Sequence, residues 1–332
     1  MQKKRVSSKD VAREAGVSQA TVSYVINRVE GVKIKQKTRD AVYAAAKKLN
    51  YHTDYIAKSM RLRKTMSIGV VSDKTMISHF FMSALEGVRT ALLEHNYFIT
   101  FCVNQGGEIE EADYIRYYFS GLIDGILFLF TPLSPAQEVF LLEREIPFVS
   151  VNSPNGNDVK YQVRSSLENA LDSAIRDLTG QNRRRIGFIS RAGGINGFRF
   201  DEYTRAMERH GLEKDRELVC SLGTDEAANE ETIGAFLLRN RPEAVFCDTV
   251  NTGFLTARRL IVNRLSAPAD VSLVTIGTSE HSRLACPALS AIEAPLADMG
   301  RQGCGLLFDI IENRAEERRI TLDWAYVKRE SS

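Results

Sequence analysis

Residues 7–27, SSKDVAREAGVSQATVSYVIN, constrain this chain more than any other stretch. Ser7, with Asp10 three positions on, reads as a helix N-cap in capping-box spacing. Val11, Ala12 and Ala15 recur at helical spacing, Gly16 permits a tight turn, and Val17 plugs it from inside. Ser18 caps a second helix whose Val22, Val25 and Ile26 face the first. Two helices joined so closely leave the outer face of the second (Gln19, Ala20, Thr21, Ser23 and Tyr24) free to enter a DNA major groove. A plain structural hairpin is the competing reading, and the run of small residues around a glycine turn counts against it.

Charge supports the same reading. Residues 1–64 carry 16 Lys/Arg against 5 Asp/Glu, a net of +11, so the overall +2 leaves −9 for the remainder. A basic front on an acidic body suits a nucleic-acid binder, because phosphate neutralisation supplies the sequence-independent affinity. At 332 residues the chain can hold two or three domains. Its five cysteines (Cys102, Cys220, Cys247, Cys286 and Cys304) are odd in number and lack C-x-x-C spacing, which predicts reduced, mostly buried thiols in a cytosolic protein. The five histidines are scattered, so neither a metal site nor a cofactor is expected. No stretch approaches the roughly 18 apolar residues of a membrane span, and no leader-like run opens the chain. The expected location is cytoplasmic and nucleoid-associated.

The pattern D-V-A-x-x-A-G-V-S-x-x-T-V-S at Asp10–Ser23, followed by Asn27, Lys37-Thr38-Arg39 and Leu49-Asn50-Tyr51, resembles the LacI/GalR family of transcriptional regulators, and the resemblance runs through essentially the whole chain. It implies an all-α helix-turn-helix headpiece over residues 1–52, a hinge helix and linker over 53–64, and an effector-binding and dimerisation body over 65–332. The body is then α/β, with two doubly wound parallel-sheet subdomains resembling a type I periplasmic-binding-protein fold. Lobe one is expected at about 66–160 with 290–320, and lobe two at about 161–289 with 321–332. By the same resemblance Gln19, Ala20 and Tyr24 read bases. Gln19 suits an adenine edge and Ala20 a thymine methyl, while Tyr24 replaces the family's usual Arg and with it the usual guanine contact.

Ser7, Ser18, Thr21, Ser23, Asn27, Lys33, Lys35, Tyr51 and Lys58 complete the expected DNA face, the lysines either as phosphate contacts or as solvated side chains. The third helix is read over Thr38–Asn50, starting late because Lys35 replaces a serine cap, with Val42, Ala46 and Leu49 packing under the other two. Residues 53–61, TDYIAKSMR, occupy the hinge-helix position, with Met60 where the family places a Leu that wedges into a base step, and Thr53 where it places a Pro.

Beyond the boundary RLRKT at Arg61–Thr65, short apolar runs alternate with helical patterns. Strands are expected at Ser67–Ser72, Phe98–Val103, Gly125–Phe130, Phe148–Val151, Ile186–Ser190, Ala244–Cys247 and Leu273–Ile276, with a helix over Phe80–His95. Gly193-Gly194-x-x-Gly197 lacks the full dinucleotide fingerprint and reads as a cleft-edge turn. Neither a P-loop, G-x-S-x-G nor H-E-x-x-H is present, so the chain is not expected to be an enzyme.

Ligands of such sheets sit at the carboxyl ends of the strands. The resemblance places Arg199 as a ligand clamp there, and Phe81, beside Phe80, as a pocket aromatic or equally a core residue. Thr275-Ile276-Gly277 replaces the family's G-[FY]-D, so a ligand-binding carboxylate is missing at Gly277. Val250 stands at another polar position, with Asp248 two residues upstream, and Arg164 replaces an Asp. If Arg164 and Arg191 join Arg199, the pocket turns positive and suits a phosphate or carboxylate effector. Alternatively those two arginines face solvent or make lobe–lobe salt bridges, or the pocket is degenerate.

The expected function is a sequence-specific regulator, a repressor in the first instance. It would bind a pseudo-palindromic double-stranded operator as a homodimer, with a tetramer left open, and respond to a small-molecule effector. A small-molecule (sugar) binding protein with a vestigial DNA head is the alternative.

Overall fold

The computed structural model describes residues 6–26, 31–51, 64–72, 79–102, 109–153, 158–191, 195–213, 215–277, 280–314 and 316–332. Asn27, the hinge segment 53–61 with Lys58 and Met60, and Gly193-Gly194 lie outside the described residues. Two units divide the chain, residues 1–65 and residues 66–332.

The first unit holds α1 (Ser8–Ala15), α2 (Gln19–Ile26) and α3 (Gln36–Lys48). Ser7 and Asp10 form the capping box in both directions. Gly16 takes φ +66°, and the Val17 N–H donates to the Ala12 carbonyl at 3.0 Å, so the turn consumes orphan groups at the end of α1. Val11, Val22, Val25 and Val42 are all but fully buried together with Ala12, Ala45 and Ala46. Val42, Ala45, Ala46 and Leu49 repeat at helical spacing, which is why one face of α3 seats on the other two helices. That helix begins two residues before the expected Thr38. Lys35 offers no side-chain cap, but its carbonyl accepts from the Thr38 N–H at 2.9 Å, and Gln36 Nε2 bonds Asp40 at 2.8 Å to steady the first turn.

The second unit contains β1 (Ser67–Val71), α4 (His79–His95), β2 (Phe98–Cys102), α5 (Asp113–Phe119), β3 (Ile126–Leu129), α6 (Pro135–Glu143), β4 (Phe148–Val151), β5 (Tyr161–Ser166), α7 (Glu168–Gly180) and β6 (Ile186–Arg191). It continues with α8 (Ile195–Arg209), β7 (Val219–Leu222), α9 (Glu226–Asn240), β8 (Ala244–Cys247), α10 (Val250–Val262), β9 (Ser272–Ile276), α11 (His281–Leu284), β10 (Ser290–Glu293), α12 (Leu296–Ile311), β11 (Arg318–Asp323) and β12 (Ala325–Val327). Two six-stranded sheets result, ordered β11-β5-β4-β3-β1-β2 and β12-β10-β9-β8-β6-β7. Every pairing is parallel except β10 with β12. The central strands β1, β3, β4, β8 and β9 are buried along their whole length, as parallel strands covered by helices on both faces must be.

The chain crosses between the sheets three times, at Leu167, at Ala294-Pro295 and at Trp324. This corrects the expected lobe limits. Residues 161–166 finish the first sheet by pairing β5 with β4 and β11, whereas 290–293 belong to the second sheet as β10. Each strand completes its ladder before the chain leaves, so the crossings fall a few residues later than a break at 160, 290 or 320.

Candidate DNA-reading face and ligand cleft

In the first unit α2 presents a face without acidic residues. Ser18, Gln19, Ala20 and Tyr24 are exposed, Thr21 and Ser23 are half-buried, and Val22 and Val25 point into the core. Ser18 Oγ accepts from the Thr21 N–H at 3.1 Å and lies 2.9 Å from Thr21 Oγ1, so the serine is consumed as the cap. Gln19 Nε2 donates to Ser8 Oγ at 2.9 Å, which ties its side chain across the turn. The Tyr43 hydroxyl donates to the Val25 carbonyl at 3.2 Å, closing the carboxyl end of α2 with α3. Lys33 and Lys35 are exposed. Tyr51 packs on the headpiece core, and its N–H donates to the Ala46 carbonyl at 2.9 Å. The Ser7 hydroxyl donates to Asp10 at 2.7 Å, so its side chain is spent on the cap.

In the second unit the carboxyl ends of the strands gather Arg199, Trp324, Phe80 and Phe130. The Arg199 Nη1 donates to the carbonyl oxygens of Asp248 and, at 3.2 Å, of Ile276, the residues that end or follow β8 and β9. Burial lowers its pKa, against the opposing pull of the nearby Asp248 carboxylate. The guanidinium lies over the Trp324 ring, 5.7 Å from its centroid. Phe80, in the first turn of α4, stands 6.2 Å from Trp324 and edge-on to Phe130 at 5.3 Å. Phe130 takes φ +57°, a conformation costly for an aromatic residue and one that concentrates at functional sites.

Other expected pocket residues go elsewhere. Phe81 is 2% exposed, with Phe101 6.5 Å away, so the core reading holds. Arg164 stays on the first sheet, its Nη1 3.3 Å from Asp158 and its Nε donating to Thr321 Oγ1 at 3.2 Å. Strand register turns that side chain along β11 rather than toward the cleft. The Arg191 side chain pairs with Glu226 at 3.0 Å. Asp248 is 0% exposed, accepting from the Arg191 N–H at 2.9 Å and from Thr252 Oγ1 at 2.7 Å. These bonds brace the loop after β8. Gly277 follows β9 at φ +140°, a conformation that strains any residue with a side chain, and its N–H donates to the Ile292 carbonyl at 2.9 Å. Trp324 and Phe130 escaped sequence reasoning; being the sole tryptophan was the one signal that could have drawn attention to the former.

Among the described residues no group of three or more His, Cys, Asp or Glu could hold a metal ion, and no helix is long and apolar enough to cross a membrane.

Comparison with known proteins agrees with this fold. The family description "Bacterial regulatory proteins, lacI family" matches residues 8–54, and "Periplasmic binding protein-like domain" matches residues 175–332. The headpiece matches the LacI family, and the chain along nearly its whole length is similar to regulators of that family. Similar relatives include the HTH-type transcriptional regulator RegA of Clostridium acetobutylicum, 29% identical over 98% of both chains. The HTH-type transcriptional repressor PurR of Proteus mirabilis is 29% identical over 93% of this chain and 91% of its own. Among solved structures, the transcriptional regulator CelR in complex with cellobiose is 26% identical, covers 99% of this chain and all of its own, and superposes with a TM-score of 0.67. The lac repressor dimer bound to operator and the anti-inducer ONPF is 19% identical over 99% of each chain with a TM-score of 0.77, a likeness of fold. The chain is a DNA-binding transcriptional regulator, as these relatives are, and not an enzyme.

Proposed function

We propose that this regulator acts as a repressor of the LacI family. Paired headpieces lay the α2 faces of Gln19, Ala20 and Tyr24 into successive major grooves of a pseudo-palindromic operator. The observation that carries this reading is the exposed, acid-free face of α2 on a unit of net +11. Two copies join through the body. Strand β2 is an edge of the first sheet and exposes Phe98 and Phe101, and Leu284 of α11 is 81% exposed, so apolar surface is available for a partner copy. It works on DNA in the cytoplasm. Residues 53–64 serve as the hinge, with Met60 as the wedge.

The effector occupies the cleft beside Arg199. With Arg164 and Arg191 paired to carboxylates, one guanidinium remains there, so the ligand is a ring-bearing molecule with oxygen acceptors rather than a dianion. Its leverage on DNA binding equals its differential affinity for the two lobe arrangements.

Selection of genomic fragments followed by gel shift tests the reading. Tyr24→Ala should weaken binding to the selected operator by about tenfold or more, with little effect on random duplex, since a base contact is worth about 1–3 kcal/mol. Lys33→Ala and Lys35→Ala should each lower the salt slope by about one. Equal losses on operator and random DNA for Tyr24→Ala would remove it from the base-reading set.

A further inference from the structure

Trp324, the only tryptophan, lies on the third crossing between the lobes. Its backbone N–H donates to the Ser166 carbonyl at 2.8 Å, tying that crossing to the first, and the neighbouring Asp323 accepts from Asn169 of α7 at 3.0 Å. The indole is 6% exposed. Phe80 of the first lobe stands on one side at 6.2 Å and Arg199 of the second lobe lies over it at 5.7 Å. No hydrogen-bond acceptor meets its buried Nε1.

We propose that the Trp324 indole is a built-in plug of the ligand cleft. Without effector it takes the ring-shaped space between Phe80 and Arg199, and an effector enters by displacing it. The proposal rests on the reading of this cleft as the effector site. Arg199 is anchored on two carbonyl oxygens by Nη1 alone, so its flat face is held ready for a ring whether that ring is indole or ligand. The stack spans both lobes from a crossing segment, so removing the indole from it releases a contact that favours one lobe arrangement. An unpaired indole donor and the left-handed Phe130 beside Phe80 both cost free energy, which displacement of the plug can recover. The effector must therefore offer a face about the size of an indole.

The test uses full-length Trp324→Ala and free indole as the probe. Thermal unfolding of the variant should rise by about 3 °C when indole is in about tenfold excess over its Kd, while the wild-type chain does not respond. Adding Arg199→Gln should weaken indole binding by about fivefold or more. On a DNA fragment selected with wild-type protein, Trp324→Ala should change affinity by about threefold or more, and indole should restore it. If Trp324→Ala fails to fold, Trp324→Leu keeps apolar volume while opening the ring site, and the same readings apply.

Indole stabilising wild type and variant alike, or neither, overturns the plug. So does indole binding that leaves DNA affinity untouched, which makes Trp324 a core residue only. Failure of the wild-type chain to select any DNA defeats the regulator reading instead, and the unfolding measurements still decide whether the ring site exists.

Discussion

The two helices α4 and α12 meet backbone to backbone, which yields a sharp prediction. A methyl group added at Gly300 would sit 2.9 Å from the Ala84 carbonyl carbon, and closer still to its oxygen. One added at Gly87 would sit 2.6 Å from the Ala297 carbonyl carbon. Real Cβ contacts essentially never fall under 3.0 Å, and the obstacle in both cases is helix backbone, which no rotamer change can move. The helices must part by about 1 Å or more, and a gap of that size forfeits about a quarter to a half of each dispersion contact along the seam. The seam includes Ala84, Gly87, Val88 and Gly300, all buried.

Overpacking of this kind costs about 3 kcal/mol, the upper end of its usual range, and the better helix propensity of alanine returns about 1 kcal/mol. Gly300→Ala should therefore lose about 2 kcal/mol, or about 4–8 °C in Tm. Gly305, on the same helix, faces open space, so Gly305→Ala should gain up to about 1 kcal/mol. Gly87→Ala combined with Gly300→Ala should cost less than the two added, because the first methyl already parts the helices. Circular dichroism with thermal and urea denaturation measures wild type, the three single variants and the double variant. If Gly300→Ala and Gly305→Ala fall within about 0.5 kcal/mol of each other, the helices do not touch through their backbones and the reasoning fails.

Thiol chemistry and acid stability offer two further checks. Burial pushes the Cys102 and Cys304 thiols up to about 12 and Cys220 up to about 11, and raises Cys247 as well, whereas Cys286 is exposed. At pH 8 an aromatic disulfide reagent should titrate one fast thiol per native chain, lost in Cys286→Ser, because raised pKa values keep the other four protonated and unreactive. Glu243 accepts from the N–H groups of Arg185 at 2.9 Å and Arg184 at 2.7 Å, and these bonds hold its pKa below the ordinary value. A depressed carboxylate contributes its stability above the unfolded pKa and loses it as pH falls through the folded one. Glu243→Gln should then cost about 1–2 kcal/mol at pH 7, and the gap to wild type in Tm should close below about pH 4.

The headpiece was legible because its determinants are local. Ser7, Asp10, Gly16 and Ser18 act on groups within a few residues, and the valines repeat at the helix period. The same holds for the buried central strands, whose runs of apolar residues can be read without knowing their neighbours. Strands β5, β7, β10 and β11 were not read, and β11 shows why. Its RRITLD is polar and largely exposed, and it becomes a strand only because β5, more than 150 positions earlier, offers a ladder.

The cleft was legible in part, for a related reason. Arg199 could be found from the family pattern, but pocket charge cannot be counted from sequence, since it is what remains after ion pairing. Arg164 pairs with Asp158 and Arg191 with Glu226, and of these three arginines Arg199 is the one that lies over the Trp324 ring. Trp324 lies 125 positions from Arg199 and further still from Phe80, and no periodicity links three residues that only the lobe crossings bring together. A regulator of this build can therefore keep its DNA-reading helix in a local code while its ligand specificity shifts through single residues on the crossings. A substitution at Trp324 alters the ring site from both lobes at once without touching a strand or the headpiece.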